Sequence, residues 1–260
     1  MITAVALVAG LSAFAAPRTP PAPQRFRVTT VNHQVVDLSA FSQPEQVTHI
    51  VTSAFVTVTS ADSAGGRAIK MTIDSIHLDS LAGDAPITQA NFDSLRGTWA
   101  TGWVGAMGGV QNAKSDGERS AQAINLMNEL FPKVGNKAKV GDKWTDTTEN
   151  TGMGSGILAN ASVRRVTNWA VSGEETISGT KARKVDGAYS QSVSGSMESQ
   201  QGTLSVDGTG TGTANYSLTA DGRMLKGSTL LNLQISVSIP QAPEPIPVTG
   251  TMNSTITALR

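Results

Sequence analysis

The stretch Leu231-Asn-Leu-Gln-Ile-Ser-Val-Ser-Ile239 decides the fold, because its five aliphatic residues occupy every second position. Successive side chains of a β-strand point to opposite faces, so a strand places all of these residues on one surface. The intervening Asn, Gln and Ser side chains are uncharged and polar, and they suit a face that meets water. The stretch therefore predicts a long antiparallel strand that is dry on one face and wet on the other.

The composition of the 260-residue chain favours sheets throughout. Charged residues make up 15% of the chain, well below the ~25% typical of globular proteins, and Ser, Thr and 26 Gly fill the difference. Short polar and β-branched residues suit sheets with a solvated face, whereas soluble helical proteins usually carry many Lys and Glu. The apolar β-branched runs and the net charge of zero argue against intrinsic disorder.

Other segments repeat the strand pattern. Strand-like runs at 26–36, 47–59 and 69–73 are joined by short connections and predict a meander. From Val140 onward strand follows strand, and Asp221-Gly222 is the strongest hairpin signal in the chain. The predicted class is mainly β: a curved antiparallel sheet, either a half-barrel or an open barrel, with one amphipathic helix packed on its concave face.

That helix is predicted from about Asp116 to Phe131. Ser115 and Glu118 have the spacing of a capping box, and Pro132 ends the helix. Its apolar residues share one face at helical spacing and predict contact with the sheet: Ile124, Met127, Leu130 and Phe131. A shorter helical turn is predicted over 88–95.

Glycines and prolines interrupt the pattern at two places. The last two predicted strands, 230–239 and 248–259, are separated by four prolines, which predict a stiff connection that is not itself a strand. Upstream, Thr alternates with Gly over 208–213, so one face of that strand lacks side chains. Two interpretations are open there: a flexible edge strand in solvent, or a place where a ligand or helix comes close to the sheet.

The N-terminus has the pattern of an export signal, predicted over 1–16. Ile2 to Ala16 is apolar and small, and Ala13-Phe-Ala15 fits the small-x-small cleavage pattern. This run is too short to cross a bilayer as a helix and no later run is longer, so no transmembrane helix is predicted. Residues 17–24 predict a Pro-rich spacer and 25–260 a single β-rich domain. The chain is therefore expected to be exported, to the periplasm or the extracellular space.

Charge and cysteine content exclude several classes of function. Twenty acidic and twenty basic residues cancel, whereas a nucleic-acid-binding protein normally carries a basic face, so no nucleic-acid partner is predicted. The sequence contains no cysteine, which excludes disulfides, thiolate catalysis and Cys-ligated zinc or iron–sulfur clusters. No cofactor and no metal site are predicted.

Motifs that could carry catalysis lack the context that each one needs. Gly152-Met-Gly-Ser-Gly156 lies between predicted strands rather than in a βαβ unit, and Ser178-Gly-Thr-Lys181 has no further β-lactamase motif beside it. His33, His49 and His77 fall on three different predicted strands without a His-Glu-x-x-His pattern. The sequence therefore predicts a protein that is not an enzyme.

Residues 132–144 contain Pro132 and then Val140-Gly-Asp-Lys-Trp144, followed downstream by Ile177-Ser-Gly-Thr-Lys-Ala182 and Asp221-Gly-Arg-Met-Leu225. In the order of these elements over 26–259, the chain resembles uncharacterised exported bacterial proteins with a Val-Gly-Asp-x-Trp element. Such proteins resemble the half-barrel lipoprotein-carrier fold, a curved antiparallel sheet with a helix on its concave side. The resemblance implies an apolar groove and carries over no catalytic residues.

Three hypotheses for the function follow. The first is a non-enzymatic protein that holds a lipid or other apolar small molecule between sheet and helix. The second is a structural or surface-interaction protein with a filled core, and the third is an outer-membrane β-barrel, which the 5% aromatic content disfavours because such barrels carry aromatic girdles. The oligomeric state is not determined by these patterns. The groove residues predicted under the first hypothesis are Trp99, Trp103, Ile124, Met127, Phe131, Leu233, Ile235 and Val237.

Overall fold

A computed structural model of the chain describes residues 22–63, 65–83, 86–115, 120–135, 138–151, 161–199, 202–240, 242 and 244–259. The predicted export signal and most of the Pro-rich spacer lie outside the described residues. So do the predicted first turn of the long helix, with Glu118, and the Gly152-Met-Gly-Ser-Gly156 motif.

The described residues form long strands and short helices. The strands are β1 Gln24–Val36, β2 Gln46–Ser63, β3 Gly66–Ala82, β4 Trp99–Gly105, β5 Val110–Ser115, β6 Lys143–Thr151, β7 Ser162–Ile177, β8 Thr180–Ser199, β9 Gly202–Leu218, β10 Met224–Ser238 and β11 Ile246–Leu259. The helices are α1 Gln89–Asp93 and α2 Ser120–Leu130, with a 3-10 turn at Ser39–Phe41. In the part of the chain that the structure describes, no helix combines the length and the apolar character needed to cross a membrane.

All of these strands belong to one 11-stranded antiparallel sheet, in the order β5-β4-β3-β2-β1-β11-β10-β9-β8-β7-β6. Two meanders, β1–β5 and β6–β11, are joined where β1 pairs with β11 along its whole length. In the described part of the chain the edge strands β5 and β6 do not pair with each other, so the sheet is curved but not closed. The predicted fold class, a curved antiparallel sheet with one substantial helix, is confirmed.

Helix α2 lies against β3, β4 and β5, and its predicted apolar face is confirmed. Met127 and Leu130 are fully buried, and Ile124 and Phe131 are half-buried against the same cluster. Close approach is possible because β4 presents Gly102 here, where a Cβ would lie 3.3 Å from Met127 Cε. The helix therefore rests on small residues of the sheet.

Strand β10 has the dry and wet faces that its alternation predicts. Leu231 and Ile235 are buried and Leu233 and Val237 are half-buried, whereas Asn232, Gln234 and Ser236 are exposed. Burying an aliphatic side chain contributes roughly 1.5–3 kcal/mol, so these positions hold the register of the strand.

The buried apolar residues form two separate clusters on the inner face. The larger includes the α2 residues and extends over both meanders, from Phe26 on β1 to Trp169 on β7. The smaller lies towards the other end of the long strands and contains Ala161, Val163, Val193, Val206, Ile235 and Val248. Leu233 packs against the smaller cluster and Met252 against the larger.

The proline-rich connection between the last strands is shorter than its composition predicts. Pro247 lies inside β11, in register with Ser236 of β10, so the prediction that the connection extends to this proline is wrong. Proline lacks only the backbone donor, and its carbonyl accepts a hydrogen bond from the Asp37 N–H at 2.9 Å. A proline close to the end of a strand can therefore still take part in the sheet.

The glycine-rich strand β9 is not an edge strand, because it pairs with both β8 and β10. Its glycines face inward and make room for neighbouring side chains. A Cβ at Gly212 would collide with the Tyr189 ring, and a Cβ at Gly208 would collide with Ile235. The inner face of β9 is therefore covered by side chains from the strands on either side.

Candidate functional site

The concave face carries a charged residue that the sequence patterns did not single out. Arg165 on β7 is in register with the buried Gln191 of β8, so both side chains lie on the inner face. Arg165 Nε and Nη2 donate to Gln191 Oε1 at 3.1 and 2.9 Å. The guanidinium also stacks over the Tyr189 ring, 4.5 Å from its centroid. Two neighbours on β8 therefore fix the orientation of Arg165.

Tyr189 is itself held in place by the backbone of β10. Its hydroxyl donates to the Leu230 carbonyl at 2.9 Å, reaching across β9 at Gly212. A side chain at Gly212 would block this path, so the glycine is needed for Tyr189 to lie flat on the sheet. The ring under Arg165 is therefore anchored to β10.

Two buried hydrogen-bond donors on this face have no partner among the described residues. They are Gln191 Nε2 and Trp169 Nε1, and the exposed fractions of the two side chains are 4% and 8%. A buried polar group without a partner costs roughly 1–3 kcal/mol, so native proteins normally satisfy it with protein, water or a ligand. Both groups are donors, so their natural partner is an acceptor.

Glu129 faces the same interior from α2. Burial raises the pKa of this carboxyl to about 7, and the attraction of Arg165 opposes the rise. The two charged groups do not form an ion pair, since no carboxylate of the described residues lies within 4.0 Å of Arg165. The carboxyl group of Glu129 and the guanidinium of Arg165 are therefore more than 4.0 Å apart.

Aromatic rings on β6, β7 and β9 continue this surface along the strands. The Trp169 ring stacks with Trp144 at a centroid distance of 6.3 Å and contacts Tyr216 at 5.9 Å. The Trp169 ring covers Gly187 of β8, and a Cβ there would lie 2.5 Å from Cζ3. Burial raises the pKa of Tyr216, so this hydroxyl stays neutral.

Described residues of the connection from α2 to β6 contact β6 and β8. Lys133 forms an ion pair with Asp146 of β6. Arg183 of β8 donates to the Ala138 carbonyl at 2.6 Å and to the Gly135 carbonyl at 3.3 Å. The buried Val134 completes the contact with the larger cluster.

The Val-Gly-Asp-x-Trp element has a structural explanation. Gly141 has a φ of +94°, a conformation that favours glycine. Its N–H donates to the Val171 carbonyl at 2.9 Å, and the Asp142 carbonyl accepts from the Val171 N–H at 3.0 Å. The Asp142 carboxylate accepts from the Lys139 N–H, which forms a turn, and Trp144 then reaches Trp169. The element therefore docks the start of β6 onto β7.

The structure separates the predicted groove residues into three groups. Ile124, Met127 and Phe131 belong to the larger cluster, while Leu233, Ile235 and Val237 belong to the smaller one. Trp99 and Trp103 share strand parity but lie on the outer face, because the alternate residues Ala100 and Val104 are the buried ones. Only the first two groups share the concave face, and the two tryptophans are not brought to the helix.

A separate open groove of about 630 Å³ lies against the outer side of β2–β5. Trp103, Lys70 and Lys114 line it together with Thr59, Thr101 and Asn112. The Lys70 ammonium lies 5.3 Å from the centroid of the Trp99 ring, which continues this surface.

The histidines do not form a metal centre among the described residues. His33 and His49 are directly opposite each other on β1 and β2, with ring centroids 6.1 Å apart. His77 lies further along, edge-on to Phe55. No group of three or more His, Cys, Asp or Glu side chains in the described ranges is arranged to hold a metal ion.

Arg165 was missed because arginine on a strand is usually read as a solvated residue. Its position nevertheless gave a signal: Val163, Arg165, Thr167 and Trp169 alternate along β7, so the arginine has the parity of the buried residues.

Comparisons with protein-family models, with curated proteins and with solved structures found no match to this chain. The resemblance to exported carrier-like proteins therefore stays a prediction.

Proposed function

We propose that the protein is an exported, non-enzymatic binding protein that holds a lipid or other apolar molecule on the concave face of the half-barrel, beside α2. The observation that carries this proposal is the incomplete cover of that face between the two apolar clusters. Ile50, Leu233 and Met252 point inward on β2, β10 and β11, yet each is only half-buried. An apolar molecule laid over them would remove this surface from water.

The arrangement of the sheet favours the same function. Among the described residues β5 and β6 do not pair, so the sheet is unclosed there, and α2 lies against β3, β4 and β5. The inner face carries an apolar cluster towards each end and half-buried apolar residues in between, an arrangement that supports a binding groove.

Two measurements on the purified protein test the proposal. Native mass spectrometry after gentle purification should detect a co-purified apolar molecule, or else the protein should take up a fluorescent fatty acid. Leu233→Asn, on the inner face, should weaken uptake, whereas Leu230→Asn, on the outer face of the same strand and 40% exposed, should leave it unchanged. Absence of both a bound molecule and uptake would reject the function.

Surface interaction is the second candidate function, and the outer groove is the observation that favours it. Its lining includes two lysines, a tryptophan and several hydroxyl groups, and none of the residues that line it is acidic. Stacking on Trp103 together with positive charge suits an acidic polysaccharide. Trp103→Ala and Lys114→Gln should each weaken retention on such a polymer at low salt. Unchanged retention of both variants would reject this role.

A further inference from the structure

The inner face of the half-barrel holds Arg165 in an orientation set by Gln191 and Tyr189, and among the described residues no carboxylate lies within 4.0 Å of it. Arg165 uses Nε and one Nη2 hydrogen for Gln191, and no hydrogen bond from Nη1 occupies the rest of its donor edge among the described residues. Guanidinium groups bind carboxylate and phosphate through paired N–H donors. Within the described ranges, the Nη1 side of Arg165 therefore keeps N–H donors available for an anion.

Gln191 supplies an independent second observation. Because its Oε1 accepts both bonds from Arg165, its amide nitrogen must point elsewhere, and Nε2 is buried without a partner. The side chain is 4% exposed, so bulk water does not explain its state. Arginine and glutamine thus leave unused donors next to each other and no unused acceptor, which selects an acceptor-rich group.

Half-buried apolar residues lie on the same face of the sheet as Arg165. Gln191 of β8, Gly210 of β9, Leu233 of β10 and Gly250 of β11 are in register on the inner face. Neighbouring strands are about 4.8 Å apart, so Leu233 lies on the order of 14 Å across the sheet from Arg165. The acyl chain of a ligand whose head group lies at Arg165 can therefore reach the half-buried apolar residues on which the proposed function rests.

We infer that the ligand is an acyl-chain amphiphile with an anionic head group, whose carboxylate or phosphate oxygens are bound by Arg165 and the Gln191 amide. Tyr189 holds the guanidinium from below, and Glu129 faces the head group from α2. This inference rests on the proposed function and specifies the chemistry of its ligand.

Matched probes separate the inference from the function on which it rests. The protein is titrated with a fluorescent fatty acid, with the methyl ester of the same chain, and with a lysophosphatidic acid that displaces the probe. A free carboxylate should bind on the order of ten- to hundredfold more tightly than its ester, the usual effect of a charge-assisted hydrogen bond. The ratio for the phosphate and carboxylate probes distinguishes a phospholipid from a free fatty acid.

The variant Arg165→Gln should abolish the preference for the acid, so that the acid and the ester bind to the variant with equal affinity. Arg164→Gln is the matched control, because Arg164 is the exposed neighbour on the outer face, 3.5 Å from Glu149. Arg165→Lys keeps the charge but not the forked geometry, and it should recover only part of the preference. Far-UV circular dichroism checks that each variant folds.

The outcomes are distinct. If acid and ester bind equally, and Arg165→Gln changes neither, the anion site is rejected while the binding function stands. If neither probe binds to the folded protein, the proposed function and this inference both fail.

Discussion

Gly187 on β8 offers a sharp test of how the inner face is packed. It lies directly opposite Trp169 of β7, and a Cβ at this position would lie 2.5 and 2.6 Å from Cζ3 and Cε3 of the indole. The ring cannot move away freely, because Trp144 and Tyr216 contact it at centroid distances of 6.3 and 5.9 Å. We therefore expect Gly187→Ala to destabilise the protein.

The magnitude follows from two opposing effects. Overpacking of this kind costs about 1–3 kcal/mol. Replacing glycine by alanine also reduces the entropy of the unfolded chain, which stabilises the protein by about 0.4–1 kcal/mol. The expected net loss is about 1.3 kcal/mol, the difference between the midpoints of these two ranges. Gly173→Ala is the matched control, since no atom lies within 4 Å of its Cβ position, and it should be neutral or slightly stabilising.

The assay is urea unfolding followed by far-UV circular dichroism, with Gly187→Ala measured alone and together with Trp169→Leu. If the clash is with the indole, removing the indole should recover most of the loss, a coupling of about 1 kcal/mol or more. Equal stability of the Gly187→Ala and Gly173→Ala proteins would refute the packing argument. An undiminished loss in the Trp169→Leu background would show that the obstacle is something other than the ring.

Three further predictions concern the helix and the connection that follows it. Because burial raises the pKa of Glu129 from 4.5 to about 7, the folded state favours the protonated acid. The free energy of unfolding should therefore be greatest below pH 4.5. It should fall by roughly 3 kcal/mol as the pH rises from there through about 7. In Glu129→Gln, the difference between the urea midpoints measured at about pH 5 and about pH 8 should be smaller than in the unmodified protein. An equal difference in both proteins would contradict the assignment of the pH dependence to Glu129. Met127→Ala should cost about 2–5 kcal/mol of unfolding free energy because this side chain is fully buried. Met107→Ala is the control at 67% exposure and should change little, so similar losses for both would argue against the placement of α2. Gly141→Ala should destabilise the protein by about 1–3 kcal/mol and so lower its thermal midpoint, because the φ of +94° is unfavourable for alanine. No atom occupies the Cβ position, so a steric clash does not contribute. An unchanged midpoint would mean that the turn before β6 does not need glycine.

Local patterns predicted most of the sheet. The alternation in β10, the Asp221-Gly222 turn before it and the apolar stripe of α2 each depend on neighbours within a few residues, and each is confirmed. The turn between β7 and β8 is similar: Ser178 and Gly179 both have positive φ, as a two-residue hairpin requires. Such features are encoded where they occur, so one sequence is enough to find them.

The candidate site was harder to predict, because its residues are assembled across strands. Trp99 and Trp103 were predicted to line the groove, but residue spacing along β4 shows only that they share a face, not that this face is the inner one. Ala100, Gly102 and Val104 take the inner side of β4 because α2 packs closely there and leaves no space for an indole. The small residues, not the large ones, marked the helix-facing side.

The sequence by itself determined that the chain forms long antiparallel strands and one amphipathic helix, since side-chain periodicity and turn residues act over short distances. Only the tertiary structure decided that Arg165, Gln191 and Tyr189 meet on one surface, and that glycines of β8 and β9 lie beneath aromatic rings. Their contacts depend on the register between strands and on the curvature of the whole sheet, which no single segment encodes.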